Sequence, residues 1–270
     1  MSKDSSSPEQ LAPNRNNKLF KRRAVSVSNS GFGAPWRVIF NVMAIFIFSQ
    51  VAAVIFVELL LQVLGKPHNL LDNSPGFQFI YILVAEGLAA GMVLAILKSR
   101  NLSLGSIGLG RKPTINDLVR GLIGFGVFYG FLIIASIVLS VVFPDFNKGT
   151  QDVGFNNLKG AFAVIVAAIA LIILPPLGEE VLVRGYLFSG LRSKMKLLPA
   201  MLITSLLFGA AHLLSGTTSS LLWAAGVNTF ILSVVLVYLR EKTGALYAGM
   251  LIHMLNNAIA FGVYFHGTIF

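Results

Sequence analysis

The chain has 270 residues, of which 55% are hydrophobic and only 12% charged. Soluble domains carry about 45–50% apolar and about 25% charged residues, so this chain lacks the charge to hydrate a soluble surface. The absence of Cys excludes disulfide frameworks, thiolate metal sites and a cysteine nucleophile, and the net charge of +10 sits in tails and short loops. There it sets orientation and attracts anionic lipid headgroups rather than nucleic acid.

Residues 1–36 are polar and basic, with Lys18, Lys21, Arg22 and Arg23 in one run, and read as a disordered cytoplasmic tail. Residues 37–270 form the membrane part. Apolar runs follow at 38–64, 77–97, 118–143, 159–193, 198–214, 220–239 and 244–265, most of them near the roughly 20 residues that span a bilayer. The expected fold is therefore all-α, a polytopic transmembrane bundle of about seven spans. The fourth run is too long for one straight span, and Pro175-Pro176 is expected to kink or split it.

Loop charge tests this count. Basic residues concentrate in the tail, at Lys98 to Lys112, at Arg192 to Lys196 and at Arg240 and Lys242, while the intervening loops are poor. Seven spans with a cytoplasmic N-terminus satisfy the positive-inside rule at every loop. No internal repeat is present, so an inverted-repeat transporter has no support.

Ionisable residues inside apolar spans are costly and usually functional. Glu58 and Glu86 stand alone, and interhelical hydrogen bonds or interface positions account for them. Glu179, Glu180 and Arg184 lie in Gly-Glu-Glu-Val-Leu-Val-Arg-Gly. Glu180 and Arg184 share a helix face and can pair. Glu179, about 100° away, is left as a carboxylate that suits a general base. His212 ends Phe-Gly-Ala-Ala-His, and His253 opens His-Met-Leu-Asn-Asn with Asn257 one turn further on. Spans four and five form a hairpin about the basic turn, which brings Glu179 and His212 to similar depth, about 20 Å from it at about 1.5 Å per residue. His253 lies about 15 Å in by the same rise.

Two histidines and a carboxylate are a hydrolytic zinc set, with Glu179, His212 and His253 as ligands. Asn257 could then donate to a developing oxyanion. Without metal, Glu179 could deprotonate a water held by the histidines. Serine protease chemistry fits less well, since no Gly-x-Ser-x-Gly elbow occurs, and neither does a His-Glu-x-x-His helix.

Glu-Glu-x-x-x-Arg (Glu179, Glu180, Arg184), Phe-x-x-x-His (Phe208, His212) and His-x-x-x-Asn (His253, Asn257), each in its own apolar helix, resemble the CPBP family of intramembrane metalloproteases. That family contains the type II CAAX prenyl proteases and is also called Abi in bacteria. Arg184-Gly185 before an aromatic stretch (Tyr186 to Phe188) and Leu-Gly-Ser-Ile-Gly-Leu ahead of span three add to the likeness. The similarity covers about residues 77–265, and the tail and span one lie outside it. It implies a cavity open to the membrane or cytoplasm, with Glu179 activating water for peptide hydrolysis. Glu180 and Arg184 would shape the site, and His212, His253 and Asn257 would hold zinc or water and stabilise the oxyanion. The partners implied are membrane lipids and a membrane-associated peptide or protein tail, and no nucleic acid. The compact chain reads as a multi-pass protein of a prokaryotic plasma membrane, where prenylated CAAX substrates are not expected. The competing reading is a non-catalytic scaffold, or a bacteriocin self-immunity protein that retains the fold.

Overall fold

A computed structural model of the chain describes residues 31–144, 146, 153–156, 158–213 and 221–269. Most of the expected tail, together with Lys148, Asp145 and Asp152 of one loop, lies outside these residues. Among them every regular element is helical. The seven principal helices are α1 (Pro35–Val63), α2 (Pro75–Ser99), α3 (Ile115–Val142), α4 (Gly160–Arg192), α5 (Leu197–His212), α6 (Trp223–Thr243) and α7 (Tyr247–Tyr264). They fall on the seven apolar runs. Five of them, α1 to α4 and α6, are long and apolar enough to cross a membrane; α5, at 16 residues, is shorter.

The apolar surface explains why no charged stripe is needed. Phe40, Ile47, Phe56 and Val63 on α1 and Ile123, Phe131, Ile137 and Val141 on α3 are exposed. In water such faces would aggregate, whereas hydrocarbon solvates them at no cost. The inward faces are built from small or compact residues, such as Ala53 and Val57 on α1, Ala85 and Ala89 on α2 and Gly121 and Gly124 on α3, which let helices approach closely.

α4 is continuous through its two prolines. Ordinary helix over Gly160–Ala168 widens to a π turn at Ile169–Ile173, resumes at Leu174–Glu179, widens again at Glu180–Leu187 and ends at Phe188–Arg192. The expected kink or split at Pro175-Pro176 thus takes the form of a change in helical register. Widened turns of this kind absorb a local conflict without ending the helix and recur at functional sites.

The described residues include several before the expected tail boundary at 36. Phe32 is fully buried and packs on Tyr186 with ring centroids 5.8 Å apart, and its carbonyl accepts from Arg100 Nη1. Asn41 on α1 donates to the Tyr186 hydroxyl at 2.9 Å. Residues outside the expected family core therefore hold the aromatic stretch behind Arg184. The turn Leu104–Ile107 packs Ile107 against Gly185, and Leu246 N donates to Gly108 O at 3.2 Å.

Basic helix ends meet one another. Arg192 pairs with Glu241 at 3.0 Å, Arg120 donates to Lys242 O, and the Tyr247 hydroxyl donates to Arg111 O. Arg111 also forms two 2.6 Å bonds to Asp117, which caps α3 through Thr114. The bond to Asp117 raises the Arg111 pKa above its ordinary value.

Candidate active site

Four elements meet at the buried charges. The second wide turn of α4 carries Glu180 and Arg184, both fully buried. Arg184 Nη1 donates to Glu180 Oε1 at 2.8 Å, so the expected pairing is present. The guanidinium also lies over an aromatic ring, with Arg184 Cζ 4.2 Å from the Phe208 ring centroid. A cation stripped of water gains from both contacts. Gly249 on α7 makes room for the pair, because a Cβ there would lie 3.0 Å from Glu180 Oε2.

His253 on α7 bridges the two glutamates. Its Nδ1 lies 3.3 Å from Glu180 Oε1 and its Nε2 lies 3.6 Å from Glu179 Oε2. An imidazolium would donate to both carboxylates, whereas a neutral ring donates to one and leaves the other nitrogen an acceptor. Glu179 keeps a quarter of its side chain accessible, while its Oε2 is buried without a protein donor in hydrogen-bond reach. It is the most open carboxylate of the adjacent pair.

His212 reaches the cluster indirectly. Its Nδ1 sits 2.9 Å from Phe208 O one turn back, and a carbonyl only accepts, so Nδ1 carries the proton. In that tautomer of the imidazole Nε2 is the acceptor. Both imidazoles pack against Phe208, with centroids at 4.7 Å for His212 and 6.0 Å for His253. Asn257 donates through Nδ2 to Leu171 O at 3.0 Å.

The expected zinc set meets a geometric test here. Glu179 and His253 come together, but among the described residues no three His, Asp or Glu side chains group closely enough to hold a metal ion. Glu179, His212 and His253 are not gathered into one such group in this arrangement.

One carboxylate was not expected at the site. Glu86 on α2 is half-buried, and its carboxyl packs so tightly on Gly178 that a Cβ there would overlap Oε2 and lie 3.0 Å from Glu86 Cβ. Gly178 directly precedes Glu179, so the Glu86 carboxyl lies against the backbone that carries Glu179. The interhelical hydrogen bond expected for Glu86 is not formed among the described residues. No sequence spacing links its partner Gly178 to Glu86. Glu58, by contrast, behaves as an interface residue, near a helix end against the exposed His68.

Long apolar helices enclosing a carboxylate–imidazole–guanidinium cluster define an integral membrane protein with a hydrolase-like site. Residues 161–259 match the family model described as Rce1-like, type II CAAX prenyl endopeptidase, a stretch that contains all seven motif residues from Glu179 to Asn257. Over that stretch, a little over a third of its length, the chain is similar to the type II CAAX prenyl endopeptidases. No curated protein and no solved structure shows a significant match to the chain.

Proposed function

We propose that the protein is an intramembrane endopeptidase that hydrolyses a peptide bond in a membrane-associated peptide or protein tail, with Glu179 as the base that activates water. The observation that carries this reading is the contact of the accessible Glu179 carboxyl with His253, 3.6 Å away, in a cluster otherwise buried. Glu179 takes a proton from water as the oxygen attacks the peptide carbonyl carbon. A tetrahedral oxyanion forms, and its collapse breaks the C–N bond while Glu179 returns the proton to the leaving amine. His253 holds the Glu179 carboxyl, and Glu180 with Arg184 fixes His253 from behind. His212 Nε2 is available to accept a hydrogen bond from the water.

The chain is proposed to sit in a prokaryotic plasma membrane, with seven spans and the N-terminus in the cytoplasm. The meeting of the basic ends at Arg100, Arg111, Arg192 and Lys242 supports this orientation, because it gathers the charge-rich loops on one side.

The test compares peptide termini in membranes from cells producing wild-type protein and Glu179→Ala at equal levels. Termini that appear only with Glu179 establish the protease and identify its substrate. If no terminus differs and Glu179→Ala restores every phenotype of a deletion strain, the hydrolytic reading fails and a non-catalytic membrane scaffold replaces it.

A further inference from the structure

The double proline of α4 leaves one backbone carbonyl without a helical partner. In an α-helix the Leu171 carbonyl accepts from residue 175, and in a π turn from residue 176. Both residues are proline, and proline has no N–H. Leu171 is the one carbonyl of the helix for which both registers fail. The wide turn at Ile169–Ile173, in which Leu174 N bonds Ile169 O, shifts the register but cannot supply the missing donor. In an apolar span an unpaired carbonyl is expensive, and a neighbouring helix is the usual remedy.

The donor arrives from α7. Asn257 Nδ2 bonds Leu171 O at 3.0 Å. Asn257 is itself steadied from α3 by a polar chain: Asn256 Nδ2 donates to Asn257 Oδ1 at 3.5 Å, and the Tyr129 hydroxyl donates to Asn256 Oδ1 at 3.4 Å. His253 and Asn257 are one turn apart on the same face of α7. One lies 3.6 Å from the Glu179 carboxyl, and the other bonds the backbone about two turns ahead of it.

We propose that Asn257 is a positioning residue: its amide replaces the backbone hydrogen bond that Pro175 and Pro176 remove, and so locks the segment carrying Glu179 to the helix carrying His253. The proposal rests on the hydrolytic reading of Glu179. It assigns to Asn257 a role through the backbone of α4 rather than through the reacting carbonyl. A backbone N–H restored at position 175 would make the side-chain amide dispensable.

The experiment is a second-site rescue in the full-length protein in proteoliposomes. Cleavage of the substrate identified through the Glu179-dependent termini is measured together with the melting temperature. Variants are Asn257→Ala, Pro175→Ala and the double variant, with Glu179→Ala as reference. Asn257→Ala is expected to lower kcat by about tenfold or more, the scale of one buried hydrogen bond left unmade, with KM little changed. Pro175→Ala is expected to stay within about threefold of wild type, and the double variant to return to the Pro175→Ala level in both kcat and melting temperature. A double variant as inactive as Asn257→Ala, a double variant that fails to fold, or an inactive Pro175→Ala overturns the proposal. If no Glu179-dependent terminus is found, the hydrolytic reading itself fails, and the melting temperatures of wild type, Asn257→Ala, Pro175→Ala and the double variant still decide whether Asn257 and Pro175 are coupled.

Discussion

Arg184 and Phe208 face each other across the helix interface, the guanidinium carbon 4.2 Å from the ring centroid, and both imidazoles of the site pack on that same ring. Phe208 is therefore a common floor for one cation and two candidate catalytic groups. Phe208→Leu keeps an apolar side chain but removes the π face. The desolvated cation–π contact is worth about 2 kcal/mol, and the lost ring volume adds to that. The variant is expected to melt lower and to lose cleavage, whereas Phe208→Tyr should retain most of both. A Leu variant with wild-type melting temperature would show that the ring contact contributes nothing.

Glu180 and Arg184 are both fully buried and paired at 2.8 Å. Removing one partner strands the other charge, at a cost of about 3–5 kcal/mol. Replacing both with apolar groups of similar size avoids that penalty. Glu180→Leu and Arg184→Met are each expected to reduce yield and thermal stability. The double variant should recover stability without recovering cleavage, because His253 would lose its Glu180 partner. Strictly additive losses across this cycle would contradict the pairing.

Gly178→Ala tests the neighbourhood of Glu86. The added methyl would overlap the Glu86 carboxyl and press on its Cβ, directly before Glu179. Overpacking of this kind costs about 1–3 kcal/mol. Cleavage is expected to fall sharply, because the displaced groups are Glu86 and the backbone that aims Glu179. Glu86→Ala in the same chain should recover part of the loss by removing the carboxyl. Wild-type cleavage by Gly178→Ala alone would mean that Glu86 has room to move aside.

The seven helices, the Glu180–Arg184 pair and the approach of His253 to Glu179 are legible in the sequence, because apolar runs mark the helices and residue counts set position along them. Rotation about the helix axis is not. Depth puts His212 level with Glu179, yet its ring turns onto Phe208 instead of joining Glu179 and His253. Asn257 follows the same logic: its spacing from His253 gives the face, while its partner, Leu171 O, exists only because two prolines disarm that carbonyl. Glu86 is a solitary carboxyl in an apolar run, and nothing in the sequence pairs it with Gly178. Arg240 counts as a loop charge by position, whereas the side chain folds back and is 2% exposed.

Arg240 in turn explains Gly108. The guanidinium lies beneath the turn that precedes α3, with Nη2 donating to Ser106 O and Ser189 Oγ, both at 3.2 Å. Gly108 adopts φ +90°, and a Cβ there would lie 2.8 Å from Arg240 Nε and 3.3 Å from the Ala245 Cα. Gly108→Ala therefore meets two penalties at once. The left-handed backbone alone costs about 1–3 kcal/mol for a side chain, and the buried guanidinium beneath cannot withdraw into apolar surroundings without losing its acceptors. The Gly108 carbonyl also receives Leu246 N, so the strain passes directly to the start of α7, the helix that carries His253. Gly108→Ala is expected to lower the melting temperature by more than Gly87→Ala, where nothing stands within 4 Å of the added Cβ, and to lower cleavage with it. Equal melting temperatures for the two variants would show that the turn carrying Gly108 does not clamp α7.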